Sequence, residues 1–381
     1  MRSTEIDRRH LMRMLFAGSA GLAFSKTPVL AAGLYDPSPD EPLFAGARRG
    51  ADGTHSIAVV TPEGFEVVSI PLPERGHDIA FDPAGKRGIA FARRPGNFAV
   101  MFDIAGTREP HVITAPRGRH FYGHGVFSPN GRLVYATEND YEAGRGLLGV
   151  YDVSGDVPAR IGEMETGGIG PHDLLLSGDG RKLVVANGGI LTHPDKGREK
   201  LNIDTMVPTV VFIDRESGEI VASHRLDKTL HQLSLRHMAM DGAGGIWVGG
   251  QYEGPEGDRP PLLARLTREG SPKLFSAPDA VQDRLANYVG SVAVNASGEV
   301  VATSHPRGSR ILYWSAADGR YLGAQDVADG CGVAALDETG FLISDGRGGL
   351  SYSDDPASTP AALSLSAGIA WDNHLVAVRR G

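Results

Sequence analysis

Apolar positions along this chain come in short bursts of alternating or fully apolar residues, without the stripes that a long helix would show. Clusters of Asp, Asn, Ser, Pro and Gly separate the bursts, a pattern that predicts short strands joined by tight turns. One phrase recurs: His77-Asp78-Ile79-Ala80-Phe81-Asp82-Pro83, Gly123-His124-Gly125-Val126-Phe127-Ser128-Pro129 and His172-Asp173-Leu174-Leu175-Leu176-Ser177. Looser copies are Arg236-His237-Met238-Ala239-Met240-Asp241, Gly290-Ser291-Val292-Ala293-Val294-Asn295, Gly332-Val333-Ala334-Ala335-Leu336-Asp337 and Gly368-Ile369-Ala370-Trp371-Asp372. A unit repeating at roughly 35–65 residues is the signature of a propeller or solenoid.

Each phrase is expected to open a strand and then turn, for example at Asp82-Pro83-Ala84-Gly85, Ser128-Pro129-Asn130-Gly131 or Ser177-Gly178-Asp179-Gly180. These residues supply the conformations a tight hairpin needs. Second strands are predicted at 87–92, 132–137, 182–186, 245–248, 300–304 and 341–344. Third strands follow at 98–104, 147–153, 209–214, 262–266, 310–314 and 350–353, and shorter fourth strands at, for example, 219–225 and 321–326. Such units predict an all-β, seven-bladed β-propeller of the YVTN/WD40-like kind. The count of seven requires the chain ends to share a blade. Strands 43–47, 56–61 and 65–72 come from the N-terminal side, while 368–372 and a second strand 374–378 come from the C-terminal side. Joining the ends also hides the sheet edges. A six-bladed or open arrangement is the alternative.

Residues 1–32 read as a twin-arginine signal peptide and 33–381 as a single propeller domain. Arg8-Arg9 precedes the apolar run 14–24, and Val29-Leu30-Ala31-Ala32 offers small residues for cleavage. The run is too short to span a bilayer as a stable helix, so export to the periplasm is expected. The whole chain has a formal charge of −8, from 38 basic and 46 acidic side chains, and no basic stripe. Nucleic acid and anionic membrane surfaces are therefore poor partners. Cys331 is the one cysteine, which excludes a disulfide framework and any Cys-rich metal site. It reads as a small buried residue. No P-loop, dinucleotide glycine motif or Gly-x-Ser-x-Gly elbow occurs.

In a propeller the innermost strand of each blade borders the channel. Its start shares a face with the end of the antiparallel second strand. His77, His124, His172 and His237 lie at innermost-strand starts, and second strands exit at Arg93-Arg94, Glu138-Asn139-Asp140, Asn187, Gln251-Tyr252 and His305. All are expected at one mouth, beside the insertion 188–208 with His193, Asp195, Lys196, Arg198 and Lys200. Two readings of the histidines stay open. They tie blades together, or they form a nitrogen-rich site suited to copper, iron or zinc. Asp78 and Asp173 would then either orient imidazoles or bond between blades. Arg198, Lys196 and Lys200 suit an anionic ligand or a solvated loop, and Met101, Met164 and Met206 read as core filler.

The stretches Gly123–Gly131, Thr137-Glu138-Asn139-Asp140, Gly170-Pro171-His172-Asp173 and Asn187–Asp195 resemble the bacterial periplasmic family known as domain of unknown function 1513. Lys196–Asn202 and Asp204-Thr205-Met206 extend the resemblance, and the His193-Pro194-Asp195 insertion is its most specific part. The resemblance implies a twin-arginine-exported, seven-bladed propeller. It also implies a genomic setting beside imelysin-like periplasmic proteins and a di-haem oxidoreductase-like protein, hence iron acquisition. No catalytic residue comes with it. The positions it carries over are His124, Glu138, Asn139, His172, His193, Asp195, Arg198 and Lys200.

Three functions compete. One is a periplasmic protein binding a metal (iron or copper) or small ligand. Its metal would sit on His77, His124, His172 and His237, and its ligand at Glu138, Asn139, Asn187, His193, Asp195, Arg198 and Lys200. The second is a metal-dependent oxidoreductase or lactonase-type enzyme. The third is a protein-interaction platform whose histidines are structural. Fold alone does not choose among them.

Overall fold

A computed structural model describes residues 35–378 except Pro95 and Arg198. The expected signal peptide and the Arg198 assignment therefore lie outside the described residues. Seven four-stranded antiparallel sheets make the molecule. In chain order the innermost strands are Gly76–Phe81, Arg119–Phe127, Pro171–Leu176, Leu233–Met240, Ser291–Val294, Gly330–Ala335 and Ala370–Val378. We number their blades first to sixth, the last being the closing blade. Each innermost strand contacts the next, and Ala370–Val378 contacts Gly76–Phe81, so the ring is shut. The chain is a seven-bladed β-propeller with a single four-residue α-helix, Asp279–Gln282, among the described residues.

The end of each phrase explains each first hairpin. Asp82 Oδ1 accepts from the backbone N–H of Lys86 and Arg87 (2.8 and 3.1 Å). Asn295 Oδ1 does the same for Glu299 and Val300 (3.0 Å each). Asp337 Oδ1 holds Thr339 and Gly340 (2.9 and 2.7 Å). Ser128 and Ser177 use their hydroxyls on Leu133 and Lys182. These short polar side chains satisfy turn donors that the ladder leaves over.

Burial follows the blades. The apolar core is seven clusters, each formed between neighbouring sheets rather than within one. Phe91 with Phe121 and Val134, Val184 with Leu235 and Val248, and Ala334 with Phe44 and Ala58 are three examples. Every blade therefore depends on both neighbours.

The closing blade corrects the sequence reading at one point. Residues 368–372 and 374–378 are not two strands of a hairpin. Residues 370–372 and 374–378 lie on one continuous strand, Ala370–Val378, which is innermost and pairs with Leu43–Arg49. The order inward to outward is Ala370–Val378, Leu43–Arg49, His55–Val60 and Glu66–Leu72. A bulge at 372–374 keeps this segment in the strand.

Asp241 ends the fourth blade's phrase and holds several donors. It accepts from Gly245 N–H (2.8 Å), Trp247 Nε1 (2.9 Å) and Arg265 Nε (2.6 Å). Burial opposes its charge, but Arg265 and these N–H groups hold the carboxyl below its ordinary value. We expect Asp241→Asn to lower stability by about 2–3 kcal/mol in denaturant unfolding. The stabilisation from the depressed pKa is complete above the unfolded pKa of about 4 and is lost as pH falls through the lower folded value. The wild-type and variant stabilities should therefore converge in acid.

Candidate metal centre

The innermost strands are not regular at the channel mouth. In the first blade the pairing jumps from Gly76 to Ile79, leaving His77 and Asp78 in a β-bulge. The second blade jumps from Phe121 to Gly125 around His124, and the third from Pro171 to Asp173 around His172. The fourth jumps from Leu235 to Met238 around His237. On the closing blade Trp371 and Leu375 flank the bulge that carries His374. A bulge re-aims a side chain out of the alternating pattern of a strand. Here five bulges deliver five imidazoles to one place. The fifth blade keeps regular register over Ser291–Val294, and the sixth places Cys331 and Gly332 in its bulge.

All five imidazoles are buried, each residue being 2–9% exposed. Ring centroids of His77 lie 4.6 Å from His374, 4.9 Å from His124 and 5.8 Å from His172. His237 lies 4.5 Å from His374 and 4.7 Å from His172. Two overlapping triads, His77–His124–His374 and His124–His172–His237, each bring three ligand nitrogens within 4.8 Å of one another. These buried clusters can bind a metal ion. His374 is a member that the repeated phrase does not announce, because it follows the Asp-Asn of its bulge rather than opening the strand.

Hydrogen bonding separates these five from the other buried histidines. His120 has both ring nitrogens occupied, by Phe121 O (2.9 Å) and Asn139 Nδ2 (3.2 Å). His305 is likewise braced by Tyr288 O (2.9 Å) and Thr303 Oγ1 (3.1 Å). In contrast, His124 Nε2, His172 Nε2, His237 Nδ1 and His374 Nε2 are buried without a hydrogen-bond partner, and His77 Nδ1 has only Asp372 Oδ1, at 3.5 Å. Each such atom costs about 1–3 kcal/mol when left unsatisfied. Converging orphan nitrogens of this kind fit the donor set of a metal ion.

Charge is distributed unevenly over the cluster. Burial, then the proximity of His374, His237 and His374 respectively, drives the pKa of His77, His172 and His237 well down. Burial lowers His374 to about 4. These rings are neutral and present lone pairs. His124 differs. Burial opposes its charge, but Asp173 and Asp78 outweigh that and push it up to about 10. Its Nδ1 lies 2.9 Å from Asp78 Oδ2 and 3.2 Å from Asp173 Oδ1. With Nδ1–H directed at carboxylates, Nε2 is the nitrogen left for the centre. Asp173 also accepts from Met238 N–H across the blade boundary (2.6 Å). Orienting an imidazole and bonding between blades thus prove to be one role. A third carboxylate, Asp372, is gripped by Arg75 and by Arg93 (2.6 Å).

A pocket borders this cluster. His77, His172 and His237 line it, together with Arg93, Arg94, Arg236, Tyr122, Ser234 and Tyr288. Gly188 and Ile190, at the root of the insertion, also line it. Arg93-Arg94 therefore reaches the mouth as expected. The other second-strand exits do not line the pocket. Glu138 and Asn139 lie within the sheet, because the strand Leu133–Asp140 runs on past the expected end at 137 and pairs with Phe121 and His120. Glu138 is fully buried and bonded to Tyr151 Oη (2.6 Å) and Arg160 Nη2 (3.0 Å). Asn187 ties Thr166 O to Thr209 Oγ1. On the insertion, His193 Nδ1 accepts from Asp195 N–H (3.2 Å) and its ring meets Tyr141. The Asp195 side chain is exposed, and Lys200 pairs with Glu253. The structure therefore gathers the four expected metal histidines. It gives Glu138, Asn139, Asn187 and Lys200 bonding partners elsewhere and leaves His193 and Asp195 off the pocket wall.

Comparison with known proteins agrees with this architecture. A family model described as "Protein of unknown function (DUF1513)" matches residues 70–378. No curated protein matches. Among solved structures, hydrazine synthase of Kuenenia stuttgartiensis superposes with a TM-score of 0.58 at 16% identity, covering 82% of this chain and 95% of that one. The Cps50 (Swd1) β-propeller domain of Myceliophteria thermophila gives 0.55 at 12%, covering 79% and 93%. A chain of a mitotic checkpoint complex gives 0.54 at 12%, covering 75% and 78%. At these identities the likeness is one of fold.

Gly123 shows how tightly the centre is built. Its φ is +115°, and a Cβ there would stand 2.4 Å from His77 Cδ2. Only glycine lets the second blade's backbone approach the first blade's imidazole. Gly123→Ala should cost about 1–3 kcal/mol, read by denaturant unfolding of chelator-treated protein, so that the loss is independent of metal.

Proposed function

The chain belongs to the DUF1513 family, and we propose that it binds one first-row transition-metal ion among His77, His124, His172, His237 and His374. The observation that carries this reading is the clustering of five buried imidazoles in two overlapping triads, four of them with a ring nitrogen that has no partner. An all-imidazole set suits copper, iron or zinc better than magnesium or calcium, which take oxygen ligands. Nitrogens about 2.0–2.1 Å from one ion lie at most about 4.2 Å apart. Triads spaced within 4.8 Å need only a small inward adjustment. Asp78 and Asp173 supply negative charge around His124, which would give up its Nε2 proton to bind the ion, and Asp372 stands beside the neutral His77.

In this reading the protein works in the periplasm after twin-arginine export and serves iron or copper handling. An imelysin-like protein or a di-haem oxidoreductase-like protein would be its partner. The family resemblance and residues 1–32 support that setting. The pocket that opens onto His77, His172 and His237 favours one second reading, a metal-dependent oxidoreductase, because it leaves the cluster accessible to a small molecule. The spare nitrogens weigh against purely structural histidines, since His120 and His305, which have no place in the cluster, have both ring nitrogens occupied.

Elemental analysis of protein purified after export tests the reading. We expect about one iron or copper ion per chain in the wild type and none in the His124→Ala, His172→Ala double variant. A wild type without stoichiometric metal, even after reconstitution, would refute it. Removing the acceptor charge behind His124 with Asp78→Asn should weaken metal affinity by roughly 10–100-fold, measured by competition with a chromogenic chelator.

A further inference from the structure

The pocket above the imidazoles has a chemistry of its own. Its lining includes three arginines, two tyrosines and a serine, and no Asp or Glu among the described residues. Arg93 is matched by Asp372 (2.6 Å). Arg236 is less well matched: its Nη2 stands 3.5 Å from Glu253 Oε1, and Lys200 also pairs with that carboxylate. Arg236 Nε is buried without a partner, and so is the hydroxyl of Ser234, a residue only 1% exposed. Arg94 faces the same space, with its guanidinium 5.8 Å from the Tyr122 ring centroid and Nη1 3.4 Å from Tyr122 Oη. Burial, together with repulsion from Arg94, disfavours the charge on Arg236. Arg236, which keeps a buried unpaired Nε, and Arg94 thus line one pocket with the imidazoles.

We propose that this pocket binds a small carboxylate or related planar oxyanion, held by Arg94, Arg236 and Ser234 with one oxygen directed at the imidazoles. The guanidinium fork matches a carboxylate edge. The proposal deepens the metal-binding reading and rests on it in one respect: anion and metal sit face to face, so each strengthens the other's binding by the same factor. The ligand class would then be a small organic acid or carbonate that accompanies the ion, and the arginines would select for it.

Oxalate is a suitable probe, titrated calorimetrically into the metal-free chain and into the cobalt(II)-loaded chain. Cobalt(II) adds a visible spectrum that responds to a new oxygen donor. The wild type should bind oxalate in both forms, at least tenfold tighter with cobalt and with a change in the cobalt bands. Arg94→Gln should weaken both affinities, and Arg94→Gln with Arg236→Gln should abolish them while cobalt uptake persists as a check on folding. Equal oxalate affinity in wild type and Arg94→Gln would overturn the proposal, as would an unchanged cobalt spectrum on saturation with oxalate. Should the wild type take up no cobalt, the metal reading fails. The metal-free titration still decides whether the arginines hold an anion.

Discussion

An imidazole nitrogen buried without a partner is a liability, and this propeller gathers four of them in one cluster of five imidazoles. The rest of the architecture is organised about that constraint. Bulges interrupt five of the seven innermost strands where the histidines stand. Gly123 surrenders its side chain so that His77 can approach. Asp78 and Asp173 fix His124 from two blades at once. The buried histidines outside the cluster, His120 and His305, have both nitrogens occupied.

Ring closure makes the site possible. His77 and His374 are almost 300 positions apart in the sequence and 4.6 Å apart as rings. The C-terminal strand brings His374 inward by pairing with Leu43–Arg49, so the element that seals the ring also completes the cluster. Stability and binding are therefore coupled. An ion held by residues from five blades would resist the opening of any one of them. The mouth adds a second layer of charge, with arginines outside a nest of mostly neutral imidazoles and carboxylates behind. Such an arrangement favours a cation and an anion together over either alone.

Much of this was legible in the chain. The repeated phrase, its turn chemistry and the spacing of strands carried the seven blades, and strands such as Arg87–Ala92 and Tyr321–Asp326 fall where periodicity put them. His77, His124, His172 and His237 were visible because they occupy equivalent places in the repeat. His374 was not: its bulge spans three residues, Asp372, Asn373 and His374, which shifts the imidazole away from the phrase. Glu138 and Asn139 were misleading for a related reason. Their strand runs farther toward the mouth than its apolar pattern indicates, and the added length buries them in pairing. Arg236, beside a histidine in the phrase, drew no attention because nothing local distinguishes a pocket cation from a solvated one. Side-chain convergence across blades is a property of bulges and closure, and neither has a strong local signature.

The account turns on what occupies the space among the five rings. Anomalous diffraction from crystals of the exported protein, collected on both sides of the iron and copper absorption edges, addresses it directly. The account predicts a single peak on the axis with imidazole nitrogens at about 2.0–2.2 Å. A density map showing only ordered waters linking the five rings, with no anomalous signal at either edge, would contradict it.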